Sequence, residues 1–512
     1  MTSTLPNTPT TQPLEPFQAF FARYQDRLSE LFGDEGTVRR LALERDFPPS
    51  LIRAVLATKP LSVYIDEAHG GRGGHVHEGL SVLEAASYHS LALSLTLGIN
   101  GALFLQPVGK YGEETLKQNV FPRFLQHQNM GGLMITEPDY GSDALSMETS
   151  WTDEGDSARI QGRKHWAGLT GLADFWLMTA RAKNADGSLG RDVDFFVLDG
   201  HEPHQSIVVE ERYPNLGLYP IPYGLNRVDV RAPHAHKLQP TRSGLKMMLD
   251  LLHRSRVQFP GMAMGFLRRM ADDALKHVSE RRVGGRALAT YDQVKHRVAA
   301  LQSAVTQSAA MCLFSSERAG VEHDLSKDGL AANIVKAVMT DRMQDSAQSF
   351  LQLVGAQGYR LDHVAGRAVV DSRPFQIFEG SNDILYEQIG SAVVNAMKKT
   401  KEANLAAFLR SHPLFGRAAD SVGHLLDVRI DGDLPQRKLV AFGRLIGRVG
   451  SVDMVLDLAQ RGYPAERINQ AVDDLRAEIA GAFTRFQQAS TAGVSEDGTG
   501  TAEWSRFVTT SA

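Results

Sequence analysis

Cysteine is nearly absent. Cys312 is the single thiol in 512 residues, which excludes an intramolecular disulfide and any Cys-rich metal centre. A surplus of one charge is missing too, since 55 basic residues face 59 acidic ones for a formal net charge of -4. The chain therefore carries no global bias toward nucleic acid or anionic lipid. No stretch approaches the roughly 20 consecutive apolar residues of a membrane span. The opening MTSTLPNTPTTQPLE has neither the basic start nor the apolar run of a secretory signal. A GxGxxG dinucleotide signature is also lacking, so any nucleotide cofactor has to be held in another way. Together these absences predict a cytoplasmic protein with no transmembrane segment and no nucleic-acid partner. A hydrophobic content of 43% is ample for a multidomain core.

What is present falls into zones. From about 16 to 130 apolar residues recur at helical spacing, as in Leu80, Leu83, Ser87, Leu91 and Leu95, and predict an N-terminal helical domain with one helix through that stretch. Between 131 and 240 short strand-like runs take over (ARIQGRKHWAG, DFWLMTARA, DFFVLDG, SIVVEER), separated by Gly, Pro, Asp and Asn, and predict a central β domain. Helical patterns return over 241–398. This order argues for a multidomain α+β chain rather than a βαβ array. Residues 399–490 form a fourth, helical zone, with Ile468, Val472, Leu475, Ile479, Phe483 and Phe486 on one face. From Lys401 to Ala512 there are 13 Lys or Arg against 14 Asp or Glu, which favours a packing module over a nucleic-acid module. Residues 1–15 and 491–512 read as flexible tails.

The Gly-rich HGGRGGHVHEG stretch is a weak phosphate-loop candidate, because no strand leads into it and no GK[ST] closes it. His69, His75 and His77 read as exposed loop histidines rather than metal ligands, since nothing supplies a further ligand.

One stretch raises a chemical question. In FQIFEGSND, residues 375–383, a lone carboxylate, Glu379, follows an apolar run and precedes Gly380. Such an acid is either a helix-start residue meeting free amides or a general base whose pKa an apolar pocket raises, with Gly380 letting a substrate approach the backbone.

Four more segments bear on the choice: MITEPDYGSD at 134–143, GRKHWAG at 162–168, ERRVGGRALATYDQVKHRVAALQ and LQLVGAQGY. Taken singly, EPDYGSD is a turn cluster and Trp166 a core aromatic. In combination and order, across about residues 16–397, the five segments resemble the acyl-CoA dehydrogenase family of flavoproteins. The resemblance implies a helical domain, a β-barrel-like domain and a four-helix bundle, with FAD in a cleft between sheet and bundle. It also implies removal of the α-proton of an acyl thioester by one carboxylate while the β-hydrogen leaves as hydride to the flavin, giving a trans-2-enoyl-CoA.

By that resemblance Glu379 is the base, and its backbone N–H polarises the thioester carbonyl. Gly380 leaves room for the thioester. Leu133, Ile135 and the Thr136 hydroxyl face the isoalloxazine ring, and Trp166 covers a face of it. Ser142 serves the flavin pyrophosphate and the pantetheine. Arg281 and Gln352 reach the FAD of a neighbouring subunit, Ser381 and Asp383 lie near the adenine and ribose, and Arg256 meets the CoA nucleotide. The partners implied are an acyl-CoA or an acyl-carrier thioester, an electron-transfer flavoprotein, and further copies in a homodimer or homotetramer, with a role in fatty-acid metabolism. An alkylation-response-type flavin protein that binds DNA and an acyl-CoA oxidase are the alternatives.

The pattern departs from the family at several positions. Gly168 stands where a Thr or Ser hydroxyl often contacts the flavin, Gly284 where an aromatic packs, and Ala356 where a glycine gives closest approach to the cofactor. His253 and Ser255 precede Arg256 where acids are common. The zone after residue 400 has no counterpart in the short tetrameric members.

Overall fold

Alternation along residues 224–233 shows why the central zone forms a sheet. Gly224, Asn226, Val228, Val230 and Ala232 are buried while the residues between them face outward, the two-residue period of a strand with one covered face. The computed structural model describes residues 14–203 and 205–490, so the tail expectations for 1–13 and 491–512 lie outside the described residues. The strands are β1 (Gly131–Met134), β2 (Ser150–Asp153), β3 (Ser157–His165), β4 (Phe175–Ala182), β5 (Asp194–Asp199), β6 (Ser206–Arg212) and β7 (Gly224–Pro233). They run in the order β1-β4-β2-β3-β7-β6, with β5 paired to β4. β1, β2 and β7 had no counterpart among the four strand-like runs. β1 and β2 are four residues each, too short to announce a period, and the polar residues of β7 mask its alternation.

Helices lie before and after the sheet. The spacing from Leu80 to Leu95 does not belong to one helix. Val76–His89 ends at Ser90, whose φ of -155° breaks the helix and whose hydroxyl accepts from the Leu93 N–H to start Leu91–Asn100. That second helix continues through a π-helical turn, Gly101–Leu105, into Gln106–Tyr111. Leu91–Tyr111 and Asp292–Arg318 are long and apolar enough to cross a membrane, contrary to the expectation from apolar runs alone. Of their apolar windows 94% and 61% is buried inside the fold, as in core helices.

The bundle after the sheet consists of Phe259–Glu280, Asp292–Arg318, Gly329–Val354 and Asn382–Thr400, preceded by Gly244–Arg256. The long helices of the fourth zone, Gln436–Gln460 and Ala465–Gln488, pack onto this bundle. The predicted stripe is its packing face: Ile468, Val472, Leu475, Ile479 and Phe486 are buried and Phe483 is half-buried. Contact is close at Gly443, where a Cβ would come within 1.8 Å of the Tyr386 carbonyl oxygen.

Arg72 of the GGRGG stretch is buried against Glu78 at 2.8 Å, so this loop is tied down by its own ion pair. His75 and His77 are exposed as expected. His69 is half-buried between Asp66 and Glu114, its ring nitrogens 2.5 and 2.8 Å from the two carboxylates.

Candidate active site

The segment after β1 rests on a buried ion pair. Lys164, fully buried on β3, meets Glu137 at 2.8 Å and donates to the Ile135 carbonyl at 3.0 Å and to the Thr179 hydroxyl at 3.1 Å. Burial pulls the amine down to about 8 against the pull of Glu137. Glu137 also accepts the backbone N–H groups of Glu148 and Thr149, at 2.6 and 3.1 Å, which closes the EPDYGSD turn. The stretch Leu133–Thr136 is thereby fixed from beneath.

Across the cleft, the Glu379 turn is built on packed rings. Phe375 is buried, and it and Phe378 pack against each other and against Phe259 with centroids 5.0 to 6.0 Å apart. The backbone then turns left-handed at two successive residues, Glu379 (φ 55°) and Gly380 (φ 92°). For glutamate this conformation costs on the order of 1 kcal/mol, and two buried cations hold it. Arg256 donates to the Glu379 carbonyl through Nε (3.1 Å) and Nη2 (2.8 Å), and Lys336 Nζ donates to the Gly380 carbonyl at 2.8 Å. Burial brings the Lys336 amine down to about 7, with the Glu379 charge pulling the other way.

The carboxylate is equally specific in its surroundings. Ser255 Oγ–H donates to Oε1 at 2.8 Å, while Oε2 is buried without a partner. Burial raises the Glu379 pKa above the usual carboxylate value, opposed in turn by the Ser255 hydrogen bond, Arg256 and Lys336. The phenol of Tyr223 is pushed up by burial and then by the charge of Glu379. No acceptor among the described residues takes the N–H of Glu379.

These elements enclose a cavity of about 290 Å³. Of the residues singled out from sequence, Leu133, Ile135, Thr136, Ser142, Trp166, Gly168, Arg256, Glu379 and Gly380 line it. Trp166 is no core aromatic: it is 52% exposed, with its ring centroid 4.6 Å from that of Tyr213. Gly168 faces Ile99, whose Cδ1 would lie 2.7 Å from a Cβ at 168, so Ile99 fills the space a hydroxyl side chain there would need.

Arg256 sits in the cavity wall beneath the Glu379 turn. It is buried, and its guanidinium donates to the Glu379 carbonyl and to Asn333 Oδ1 (2.8 Å). Five other residues do not line the cavity. Arg281, Gln352 and Ala356 are exposed, Ser381 begins the Asn382–Thr400 helix, and Asp383 is paired with Arg444 of the Gln436–Gln460 helix at 2.8 Å. Sequence reasoning missed Lys336 and Tyr223, neither of which lies in a recognisable segment.

Three family models match in succession: the acyl-CoA dehydrogenase N-terminal domain over residues 25–128, the middle domain over 132–228 and the C-terminal domain over 242–394. The chain belongs to the acyl-CoA dehydrogenase family. Among curated relatives, glutaryl-CoA dehydrogenase of Desulfococcus multivorans is 27% identical over 326 residues, 62% of this chain and 82% of that protein. An acyl-CoA dehydrogenase of Bacillus subtilis is 24% identical over 344 residues, 66% and 88% respectively. Among solved structures, butyryl-CoA dehydrogenase from Megasphaera elsdenii superposes with a TM-score of 0.65 at 21% identity, covering 75% of this chain and all of that one. The acyl-CoA dehydrogenase from Bacillus anthracis complexed with FAD reaches 0.76 at 16% identity and covers 95% of this chain and 90% of its own. Its likeness therefore extends into the fourth helical zone.

The family is one of FAD-dependent oxidoreductases, and the cavity fits that cofactor. The N–H groups of Thr136, Ala167 and Gly168 and the Thr136 hydroxyl have no acceptor among the described residues, and all three residues line the cavity. Fixed, unsatisfied donors of this kind are what the polar edge of a flavin requires.

Proposed function

We propose that this acyl-CoA dehydrogenase oxidises an acyl-CoA thioester to the trans-2-enoyl product, with Glu379 as the base that removes the α-proton. The observation that carries the reading is the Glu379 carboxylate, which has one oxygen held by Ser255 and the other buried and unpartnered on the cavity wall. Such a group gains basicity from desolvation and keeps a lone pair for the substrate. FAD held by Thr136, Ala167 and Gly168 would supply an acceptor for the β-hydride. The free N–H of Glu379 is available to polarise the thioester carbonyl, with Arg256 and Lys336 holding the carbonyls of the same turn.

Leu95, Ile99, Leu103, Met248 and Leu252 supply an apolar wall. Arg256, the one Lys or Arg in the lining, is committed to backbone and Asn333. An uncharged acyl chain suits this wall better than a dicarboxylic one. Exposed Arg281 and Gln352 lie away from the cavity and fit a role toward the FAD of a second copy, with an electron-transfer flavoprotein as acceptor. Arg444 and Arg448 of the fourth zone face carboxylates of this chain, which favours the dehydrogenase reading over the DNA-binding alternative.

The deciding experiment is anaerobic bleaching of the bound flavin by acyl-CoAs of short, long, branched and dicarboxylic type. Uncharged chains are expected to bleach it, and the Glu379→Gln variant is expected to retain FAD and to lose bleaching by several orders of magnitude. Reduction of that variant at the wild-type rate removes Glu379 from the mechanism.

A further inference from the structure

Behind the Glu379 turn lies the carboxylate of Asp341, on the Gly329–Val354 helix and 5% exposed. Its Oδ1 accepts from Gln376 Nε2 at 2.8 Å and from Asn382 Nδ2 at 2.7 Å. One buried anion thus ties the chain just before Glu379 to the chain just after it. Asn382 Oδ1 accepts from Lys336 Nζ at 3.0 Å, the same ammonium that holds the Gly380 carbonyl.

The other oxygen of Asp341 faces the fourth helical zone. Oδ2 accepts from the Tyr386 hydroxyl at 2.6 Å and from Arg448 Nη2 at 3.2 Å, with Arg444 Nη1 at 3.5 Å. Arg448 also donates to the Tyr386 oxygen at 2.6 Å and meets Glu478 at 3.4 Å. Both arginines sit on Gln436–Gln460, and Glu478 on Ala465–Gln488. The cations paired with Asp341 therefore come from the extension and not from the three family domains.

We propose that Arg448 and Arg444, acting through Asp341, are positioning residues for the Glu379 turn. The extension then completes the geometry of the proposed base instead of merely covering the bundle. The physical reason is the cost of a buried unpaired carboxylate. Without its arginines Asp341 takes up a proton or turns toward water. In either case it loses its two-sided grip on Gln376 and Asn382, and a turn strained at Glu379 is free to relax. The role for Glu379 rests on the function proposed above, whereas the tie between extension and turn does not.

The test uses the full-length FAD-loaded enzyme and the variants Arg448→Met, Arg448→Lys and Gln376→Ala. Gln376 is half-buried at the turn, so its truncation cuts one arm of the grip without emptying a core site. Arg461→Met, which removes a cation of the extension paired elsewhere with Glu317, is the control. Two readouts are taken: amide hydrogen exchange over residues 376–382, and the rate of anaerobic flavin reduction separated from acyl-CoA affinity. Arg448→Met and Gln376→Ala are expected to speed exchange in that segment by about tenfold. They are expected to slow reduction by about tenfold with affinity and FAD content little changed. Arg448→Lys is expected to restore most of both, and Arg461→Met to change neither. Unaltered exchange in both Arg448→Met and Gln376→Ala overturns the proposal, as does faster exchange with reduction at the wild-type rate. An enzyme bleached by no acyl-CoA overturns the dehydrogenase reading instead, and exchange still decides whether the extension holds the turn.

Discussion

The Ser255 hydroxyl donates to Oε1 of Glu379 at 2.8 Å and leaves Oε2 buried without a partner. This hydrogen bond favours the ionised acid, against burial. Ser255→Ala is therefore expected to raise the Glu379 pKa further. Flavin reduction by a bleaching acyl-CoA is expected to slow by roughly tenfold at pH 6, since a hydrogen bond to a charged group is worth about 1.5–3 kcal/mol. The two enzymes are expected to converge as pH rises and both become fully ionised. A stopped-flow pH series checks this, and a constant ratio at every pH speaks against it.

The same acid leaves a mark on stability. Its folded pKa lies above its unfolded value, so the folded protein binds the extra proton. Its contribution is fully present below the unfolded pKa and is lost as pH rises through the folded one. Glu379→Gln, which never ionises, is expected to melt at a higher temperature than wild type at pH 8, with the gap closing toward pH 4. Calorimetry of the two proteins across that range is the measurement.

Ile99 and Gly168 form a second pair with a testable consequence. A side chain at 168 would collide with Ile99 Cδ1, so Gly168→Thr alone is expected to cost about 1–3 kcal/mol by overpacking. Adding Ile99→Ala is expected to recover part of that loss by opening the space. Urea denaturation of the single and double variants reads the coupling, and additive losses would show that the two sites do not compete.

Gly443 tests the joint between bundle and extension. An alanine Cβ there would fall 1.8 Å from the Tyr386 carbonyl oxygen, so Gly443→Ala has to push the two helices apart. A loss of about 3 kcal/mol or more is expected, together with faster proteolysis between residues 400 and 440. Protection equal to wild type would mean that the helices slide without parting.

Much of this site was legible in the sequence, and what was not has physical reasons. Glu379 stood out because an acid against Phe375 and Phe378 is unusual and because four other segments gave it a setting. The amphipathic stripe of Ala465–Gln488 was visible as a period, and the structure buries it. The contact of Arg256 with the Glu379 carbonyl was not legible, because its sequence neighbours do not say which way a guanidinium turns. Asp341 and Lys336 carried no signal at all. A charged residue inside a helical pattern reads as a solvated face, and only the approach of a distant helix bearing Arg444 and Arg448 makes Asp341 a buried, paired anion. Ser90 escaped notice because its cap interrupts a hydrophobic spacing that itself continues unbroken.

Glycine would sit at position 379 without the backbone penalty that glutamate bears at φ 55°. It would also spare the fold the burial of an acid with one unpartnered oxygen. Selection for thermal robustness alone would therefore favour its replacement. A library screened for melting temperature is likewise expected to replace Glu379, and with it the proposed base, so stability and activity have to be scored together when the enzyme is engineered.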